Sequence, residues 1–390
     1  MDIERIQKLL RDQHIDGWLM YNFHKNNVIA ERLLQLPDDI VQSQKFFYFI
    51  PADGTPQKLV NRIEGHNLDS LPGEKTVYLS WQSLVEGMNA IMGNAVTIAM
   101  EFSPKGILPS ISYVDAGTVD LIRSMGKQVV SSANLVQEIE ASLTDEQIES
   151  HFIAAKLLNQ FTSNTLDELH SRLVKSGEVK EHTIQNFILR RFEEHNLISN
   201  LPPIVAVGIH TADPHFITNE ETSAVIHRDN IVLVELWAKL MRQNAVYADL
   251  TWMIYTGKNV PEEYTRLFSI TVQARNTAFD FITKRFLQKI PVMGYEVDEA
   301  ARSIIRDAGY GVNFIHRTGH SIGEDLHGYS ANLDNLETHD DRPIIPRTCF
   351  SIEPGIYTDS FGIRTEINVI ITPENTAVCS TNKQNEITTV

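Results

Sequence analysis

The sequence predicts two domains of different class, an α/β domain over residues 1–142 and an α+β domain over residues 143–390. Three observations carry this. Short apolar runs alternate with helical patterns through the first third of the chain. Near Leu143 the texture changes to one long helical pattern, and beyond about residue 200 long apolar strands dominate. A chain of 390 residues is long enough for two hydrophobic cores.

In the first domain, Ile3, Ile6, Leu9 and Leu10 fall at helical spacing over residues 3–14, and "GWLMYNF" then reads as a strand. "KFFYFI", "TVYLS" and "AVTIAM" read as further strands, alternating with helical stretches at residues 83–92 and 116–125. The boundary falls near Ser142, at the entry to "TDEQIESHFIAAKLLNQFTSNTLDELHSRLV". There Thr144 is an N-cap and Gln147, three residues on, completes a capping box. A second helix is expected over residues 181–195. After "LPPIVAVG" come the strands "NIVLVELWAKL", "AVYADLTWMIYTG", "TCFSIEPGIY" and "GIRTEINVIIT", with a helix over residues 261–287 between them.

Composition narrows the function. Hydrophobic residues at 42% and charged residues at 22% describe a soluble globular protein. The 34 Lys and Arg against 50 Asp and Glu give a net charge of -16, so nucleic acid is excluded as a partner. Cys349 and Cys379 are too few for a disulfide framework and lack zinc or redox spacing, which fits a reducing cytoplasm. The amphipathic N-terminus "MDIERIQKLLRDQHIDGW" is not a signal peptide. No apolar run approaches the roughly 20 residues that span a bilayer, so no membrane role is expected.

Chemistry concentrates in "HRTGHSIGEDLHG", which holds His316, His320 and His327 among Gly319, Gly323 and Gly328. The glycines argue against a helix, and the Glu of a zincin motif is absent, so an irregular strand or loop is expected. Four acids interrupt strands that otherwise read as buried. Glu235 sits among apolar residues on both faces of its strand, and Asp249 does the same in the next. A short polar link, "MRQN", makes the two a hairpin that gathers both acids. Glu353 alternates with Phe350 and Ile352, while Glu366 lies on a polar stripe with Gly362, Arg364 and Asn368.

Any one of these histidines is compatible with ordinary backbone hydrogen bonding, and any one acid with an ordinary ion pair. Four acids on successive strands around a histidine-rich segment argue for a common site. Four carboxylates and an imidazole suit Mn²⁺, Co²⁺ or Zn²⁺. Four negative charges call for two such ions, which activate water and polarise a scissile carbonyl.

These motifs, with "ADPHF" before them, resemble the pita-bread metallopeptidase family, which includes prolidase, aminopeptidase P, methionine aminopeptidase and the metal-free creatinase. The resemblance covers residues 142–390, and the N-terminal domain is similar to that of creatinase and prolidase. It implies a pita-bread catalytic domain in which Asp249 and Glu366 bridge two metals, His320 and Glu353 complete one shell, and Glu235 serves the other. It further implies that Glu353 carries a proton from the attacking water to the leaving amine. His215 and His327 would bind substrate or the tetrahedral intermediate, with His316 close by. Arg317 and Arg364 are the candidate substrate-binding cations. The implied activity is hydrolysis of Xaa-Pro bonds in dipeptides or short peptides by a homodimer, the N-terminal domain of one chain helping to close the pocket of the other.

The chain departs from the family pattern at two places. Glu235 stands where the family has Asp, with an interval to Asp249 about three residues longer than usual, and Arg317 stands where Gly is common. Two other readings stay open: a metal-free, creatinase-like C–N hydrolase, and a pseudoenzyme that binds peptides or a protein partner.

Overall fold

A strand with no polar face belongs inside a sheet, and "GWLMYN" is such a strand. In the computed structural model, which describes residues 1–37 and 39–390, the chain divides into two units, Met1–Glu140 and Ala141–Val390. The first unit contains α1 (Ile3–Asp12), β1 (Gly17–Asn22), α2 (Val28–Leu34), β2 (Phe46–Pro51), β3 (Gln57–Asn61), β4 (Glu74–Tyr78), α3 (Trp81–Met92), β5 (Thr97–Met100), α4 (Ala116–Ser124), β6 (Gln128–Ser131) and α5 (Ala133–Glu140). Its six-stranded sheet has the order β4-β3-β2-β1-β5-β6, so the fully buried β1 is interior. The pairs β3/β4, β1/β5 and β5/β6 are parallel, while β1/β2 and β2/β3 are antiparallel. The sequence reading lacks α2, β3, β6 and α5, which are four to eight residues long. Segments this short show little periodicity.

The second unit opens with α6 (Asp145–Ser176), where the Thr144 hydroxyl accepts from the Gln147 amide and the Gln147 side chain accepts from the Thr144 amide. It continues with β7 (Val179–Lys180), α7 (Glu181–Glu194), β8 (Leu197–Ile198), β9 (Ile204–Val207), β10 (Val225–Ile226), β11 (Ile231–Leu240), β12 (Ala248–Tyr255), α8 (Glu262–Leu287), α9 (Gly294–Asp307), β13 (Ser321–Ile322), β14 (Cys349–Ile352), β15 (Gly355–Tyr357), β16 (Gly362–Arg364), β17 (Ile367–Ile371), β18 (Ala377–Cys379) and β19 (Thr388–Thr389). One sheet runs β19-β12-β11-β8 with β9 on β11, and another β13-β14-β17-β18. β15 and β16 form a separate two-stranded sheet, and β7 and β10 form another.

Two cores sandwich β11 and β12. Val232, Val234 and Leu236 pack with α6 and α7 through Leu158, Phe161 and Ile188. Ile231, Leu233 and Trp237 face the other way, toward Phe268, Ala278 and Val297 of α8 and α9 and toward Phe350 and Ile367. By the two-residue period of a strand, Glu235 belongs to that second face. The helix α9 is absent from the sequence reading, although Val297, Ala301 and Ile305 recur at helical spacing and are buried.

Three strand expectations are corrected. "TCFSIEPGIY" is two strands rather than one, β14 and β15, with Glu353 and Pro354 between them. The "MRQN" link is longer, because β11 pairs with β12 only as far as Ala238 opposite Ala248, and Lys239 and Leu240 pair with β8 instead. "GIRTEINVIIT" is two strands rather than one, with Thr365 and Glu366 between β16 and β17. Among the described residues no helix is long and apolar enough to cross a membrane, and Cys349 and Cys379 are free thiols.

Candidate metal centre

The antiparallel register sets Glu235 opposite Thr251, two residues from Asp249, so both acids and Thr251 share one face of the hairpin. From the facing sheet, the polar stripe of Arg364, Glu366 and Asn368 survives the break between β16 and β17. The Thr251 hydroxyl donates to Glu366 Oε2 at 2.8 Å, Arg364 Nε donates to the Thr251 hydroxyl at 3.1 Å, and the Asp249 amide donates to Asn368 Oδ1 at 2.7 Å.

His320 arrives on the irregular segment that its glycines allow. A Cβ at Gly319 would lie 1.9 Å from the Ser351 carbonyl oxygen, so the segment lies close to β14 only without a side chain there. Asp298 of α9 clamps the segment, accepting from the Thr318 amide at 2.9 Å and its hydroxyl at 2.7 Å. His320 Nε2 then lies 3.5 Å from Asp249 Oδ2 and 3.4 Å from Glu353 Oε1. Ser351 supports both neighbours: its hydroxyl donates to Glu353 Oε1 at 3.0 Å and accepts from the His320 amide at 3.0 Å.

Asp249, His320 and Glu366 each offer a ligand atom, all within 4.8 Å of one another. Among the described residues, five buried side-chain polar atoms have no hydrogen-bond partner, and three belong here: Asp249 Oδ1, Glu366 Oε1 and Asn368 Nδ2. A buried, unpartnered carboxylate oxygen is costly. Two at one place, beside a histidine, fit a divalent cation by geometry and by donor chemistry.

Burial and mutual repulsion set the charges. Burial, then Asp249 and Glu353, push the Glu366 carboxyl well up, and burial also raises Asp249. Glu235 is pushed up to about 8 by burial, against the pull of Arg364. Burial opposes ionisation of Glu353 too, but His320, His316 and Arg364 together hold its carboxyl below the usual value. In His320, burial is outweighed by Asp249 and Glu353, which raise the imidazole. Buried carboxylates crowded together repel one another, and a cation placed among them favours their ionised forms.

The site opens into a cavity of about 850 Å³, lined by Glu235, Asp249, His320 and Glu353 at its floor and by His215, Phe216, Trp237, Arg317 and His327 among its walls. The His327 ring lies 4.4 Å from that of His320, and its basicity is depressed to about 3 by burial and by His320. It is therefore a neutral group facing the floor. His215 is exposed at the mouth, and Arg317 is paired with Glu337 at 3.7 Å.

Two expected side chains are committed to the protein. His316 Nδ1 donates to the Arg317 carbonyl at 2.7 Å and Nε2 accepts from the Tyr357 hydroxyl at 2.8 Å, leaving no ring nitrogen for a substrate. Arg364 donates to Glu235, Thr251, Tyr357 and the Pro214 carbonyl. Thr251, Ser351 and Tyr357 are absent from the sequence-derived site. Thr251 and Ser351 each stand two residues from a site acid, a signal for sharing its face. Tyr357 meets His316 across 41 residues, and nothing local points to it.

Acids, a histidine and unpartnered oxygens on the inner face of helix-flanked sheets define a protein built to hold divalent metal. The profile of Metallopeptidase family M24 matches residues 149–373, more than half of the chain, and the chain belongs to that family. Among curated relatives, the Xaa-Pro dipeptidase of Pyrococcus furiosus is 31% identical over 186 residues, 47% of this chain and 48% of that protein. The Probable dipeptidase PepE of Mycobacterium tuberculosis is 31% identical over 188 residues, 48% of this chain and 46% of that protein. The chain thus spans about half the length of these relatives. Among solved structures, dipeptidase PepE from Mycobacterium ulcerans superposes with a TM-score of 0.72 at 20% identity, covering 100% of this chain and 96% of that one. The prolidase of Thermococcus sibiricus gives 0.63 at 21% identity, covering 100% and 98%. At such identities these two establish the pita-bread fold alone.

Proposed function

We propose that the chain is a divalent-metal peptidase that hydrolyses Xaa-Pro bonds in dipeptides or short peptides. The observation that carries the metal dependence is the pair of buried, unpartnered oxygens on Asp249 and Glu366 beside His320. The proline preference rests on the relatives named Xaa-Pro dipeptidase. Asp249, His320, Glu353 and Glu366, with Glu235 at a second position, would hold two ions such as Mn²⁺, Co²⁺ or Zn²⁺.

Bound divalent ions supply an activated water and polarise the scissile carbonyl. The remaining work belongs to side chains. Glu353, ionised and oriented by Ser351, takes the proton of the attacking water and delivers it to the leaving amine. His327 reaches the developing oxyanion with a neutral imidazole N–H. His215 and Arg317 stand at the mouth, where Arg317 suits a substrate carboxylate. His316 and Arg364 act on the site through Tyr357 and Thr251 rather than on substrate. A homodimer in the cytoplasm, where both thiols stay reduced, completes the reading.

The test is chelated protein reloaded with Mn²⁺, Co²⁺ or Zn²⁺ and assayed on Xaa-Pro dipeptides beside matched dipeptides lacking proline. Metal-dependent cleavage of the Xaa-Pro set is expected. Metal binding without cleavage of either set would leave a peptide-binding pseudoenzyme, and cleavage without metal would favour creatinase-like chemistry.

A further inference from the structure

Behind the metal centre stands Arg275, a fully buried arginine whose hydrogen-bond acceptors are all neutral. We infer that Arg275 is a positioning residue for that centre: acting through the Thr365 hydroxyl, its guanidinium fixes the place of Glu366 and ties the site to the C-terminal segment at Gln384 and Asn385. The inference rests on the metal-dependent reading above.

Burial pulls the pKa of Arg275, on α8, down to about 10, which leaves it charged at neutral pH. A buried charge is costly, and no carboxylate accepts from this one. Nε and Nη2 donate to Asn276 Oδ1 at 3.2 and 3.0 Å, Nη2 also to Asn385 Oδ1 at 2.9 Å, and Nη1 to the Gln384 carbonyl at 2.7 Å and the Thr365 hydroxyl at 2.8 Å. The N–H groups of the guanidinium are thus spent on three separate segments of chain. A rigid planar fork holds those segments at fixed angles, which a lysine on a flexible stem does not.

What the fork holds is a place the sheets leave loose. The β15/β16 ladder pairs Gly355 with Arg364, and the β14/β17 ladder ends at Ile352 opposite Ile367, so Thr365 and Glu366 fall between the two. The Thr365 amide donates to the Pro354 carbonyl at a long 3.4 Å. Alternation turns Thr365 away from Arg364 and Glu366, and its hydroxyl meets Arg275 instead. Arg275 therefore holds the backbone at the base of the Glu366 side chain, while the Thr251 hydroxyl of β12 holds the tip at 2.8 Å. The same strand closes the circuit. The Met253 amide donates to Gln384 Oε1 at 2.8 Å, and Gln384 Nε2 donates back to the Met253 carbonyl at 2.7 Å. Through Gln384, Arg275 is braced on the strand that grips Glu366 from the other side. Glu366 is thereby kept beside Asp249 and His320, with ligand atoms of all three within 4.8 Å of one another.

The test compares Thr365→Val, which removes the hydroxyl and keeps the shape, with Thr365→Ser, which keeps the hydroxyl. Equilibrium dialysis of chelated full-length protein against graded free Mn²⁺, with bound metal counted by elemental mass spectrometry, gives the affinity of the first ion without assaying activity. Visible absorption of the Co²⁺-loaded protein reports the ligand geometry. Thr365→Val and Arg275→Lys should each weaken Mn²⁺ binding about tenfold or more and change the Co²⁺ spectrum, while Thr365→Ser stays within about threefold of wild type. The double variant Arg275→Lys/Thr365→Val should lose little more than either single one, because one residue acts through the other. Should Arg275→Lys fail to fold by circular dichroism, the contrast between the two Thr365 variants decides alone. Folded Thr365→Val with wild-type affinity and spectrum, or losses that add in the double variant, would overturn the inference and spare the metallopeptidase reading. Wild-type protein that binds no Mn²⁺, Co²⁺ or Zn²⁺ would sink both.

Discussion

Two buried acid sites of this molecule look alike in the sequence and are opposites in the structure. Glu101, at the end of β5 in the first unit, is wholly buried, and so are Asp249 and Glu366 in the second. Burial raises the carboxyl of all three. Around Glu101 every oxygen is used: Trp18 Nε1 donates at 2.6 Å and the Ser132 hydroxyl at 3.2 Å to Oε1, and Asn27 Nδ2 donates at 2.8 Å to Oε2. Around Asp249 and Glu366 one oxygen of each is left over. The difference teaches that burial of an acid does not mark a functional site. Unmet acceptor capacity, held in place by neighbours that meet the rest, does.

The largest expected effect breaks the comparison at its functional end. Asp249→Asn keeps the shape of the side chain and removes a negative ligand. The variant should lose bound metal and at least 10³-fold in kcat/KM, roughly 4 kcal/mol of barrier. Urea unfolding of the metal-free chain should show stability unchanged or raised, because a neutral amide relieves repulsion from Glu353 and Glu366. Retained metal would remove Asp249 from the ligand set.

At the structural end the outcome should reverse. Glu101→Ala leaves the Trp18, Asn27 and Ser132 donors unpaired and buried, at a cost of about 4 kcal/mol in urea unfolding. Metal bound per folded chain should not change. A loss below 1 kcal/mol would mean that water reaches these donors and that Glu101 is not a closed structural site.

How much of this could be read in advance follows from which interactions are local. The capping box of Thr144 and Gln147 lies within four residues and is legible. So are the acids, because Glu235 and Asp249 break apolar runs, and the stripe of Arg364, Glu366 and Asn368 keeps its period across a strand break. What sequence spacing does not carry is the wiring between segments. Arg364 reads as a free cation on a strand, yet its donors go to Glu235 and Thr251, 129 and 113 residues away. His316 sits in the same motif as His320, yet a tyrosine 41 residues on takes its ring nitrogen. Partner choice across a fold decides whether a polar residue is a ligand or a brace, and periodicity says only which face it occupies.

A third buried titratable group sharpens the comparison with a smaller effect. His151 of α6 is fully buried, with both ring nitrogens engaged. Nδ1 donates to the Tyr247 carbonyl at 2.6 Å and Nε2 accepts from the Ser380 hydroxyl at 2.6 Å, so the neutral ring is satisfied as Glu101 is. Burial depresses its pKa from 6.5 to about 4. On acidification the unfolded chain binds this proton first, below pH 6.5, while the folded chain resists it until about pH 4. The contribution of the neutral ring is therefore complete above pH 6.5 and is lost as the pH falls toward 4, by as much as roughly 3 kcal/mol. Other groups titrate in the same window, so the quantity to measure is the difference in unfolding free energy between wild type and His151→Asn, both metal-free, at several pH values. That difference should shrink as the pH falls, because the variant has no imidazole to charge. A constant difference would place the His151 pKa near 6.5 in the folded chain and its protonated form in contact with water, making the pocket between α6, Tyr247 and Ser380 a wet one.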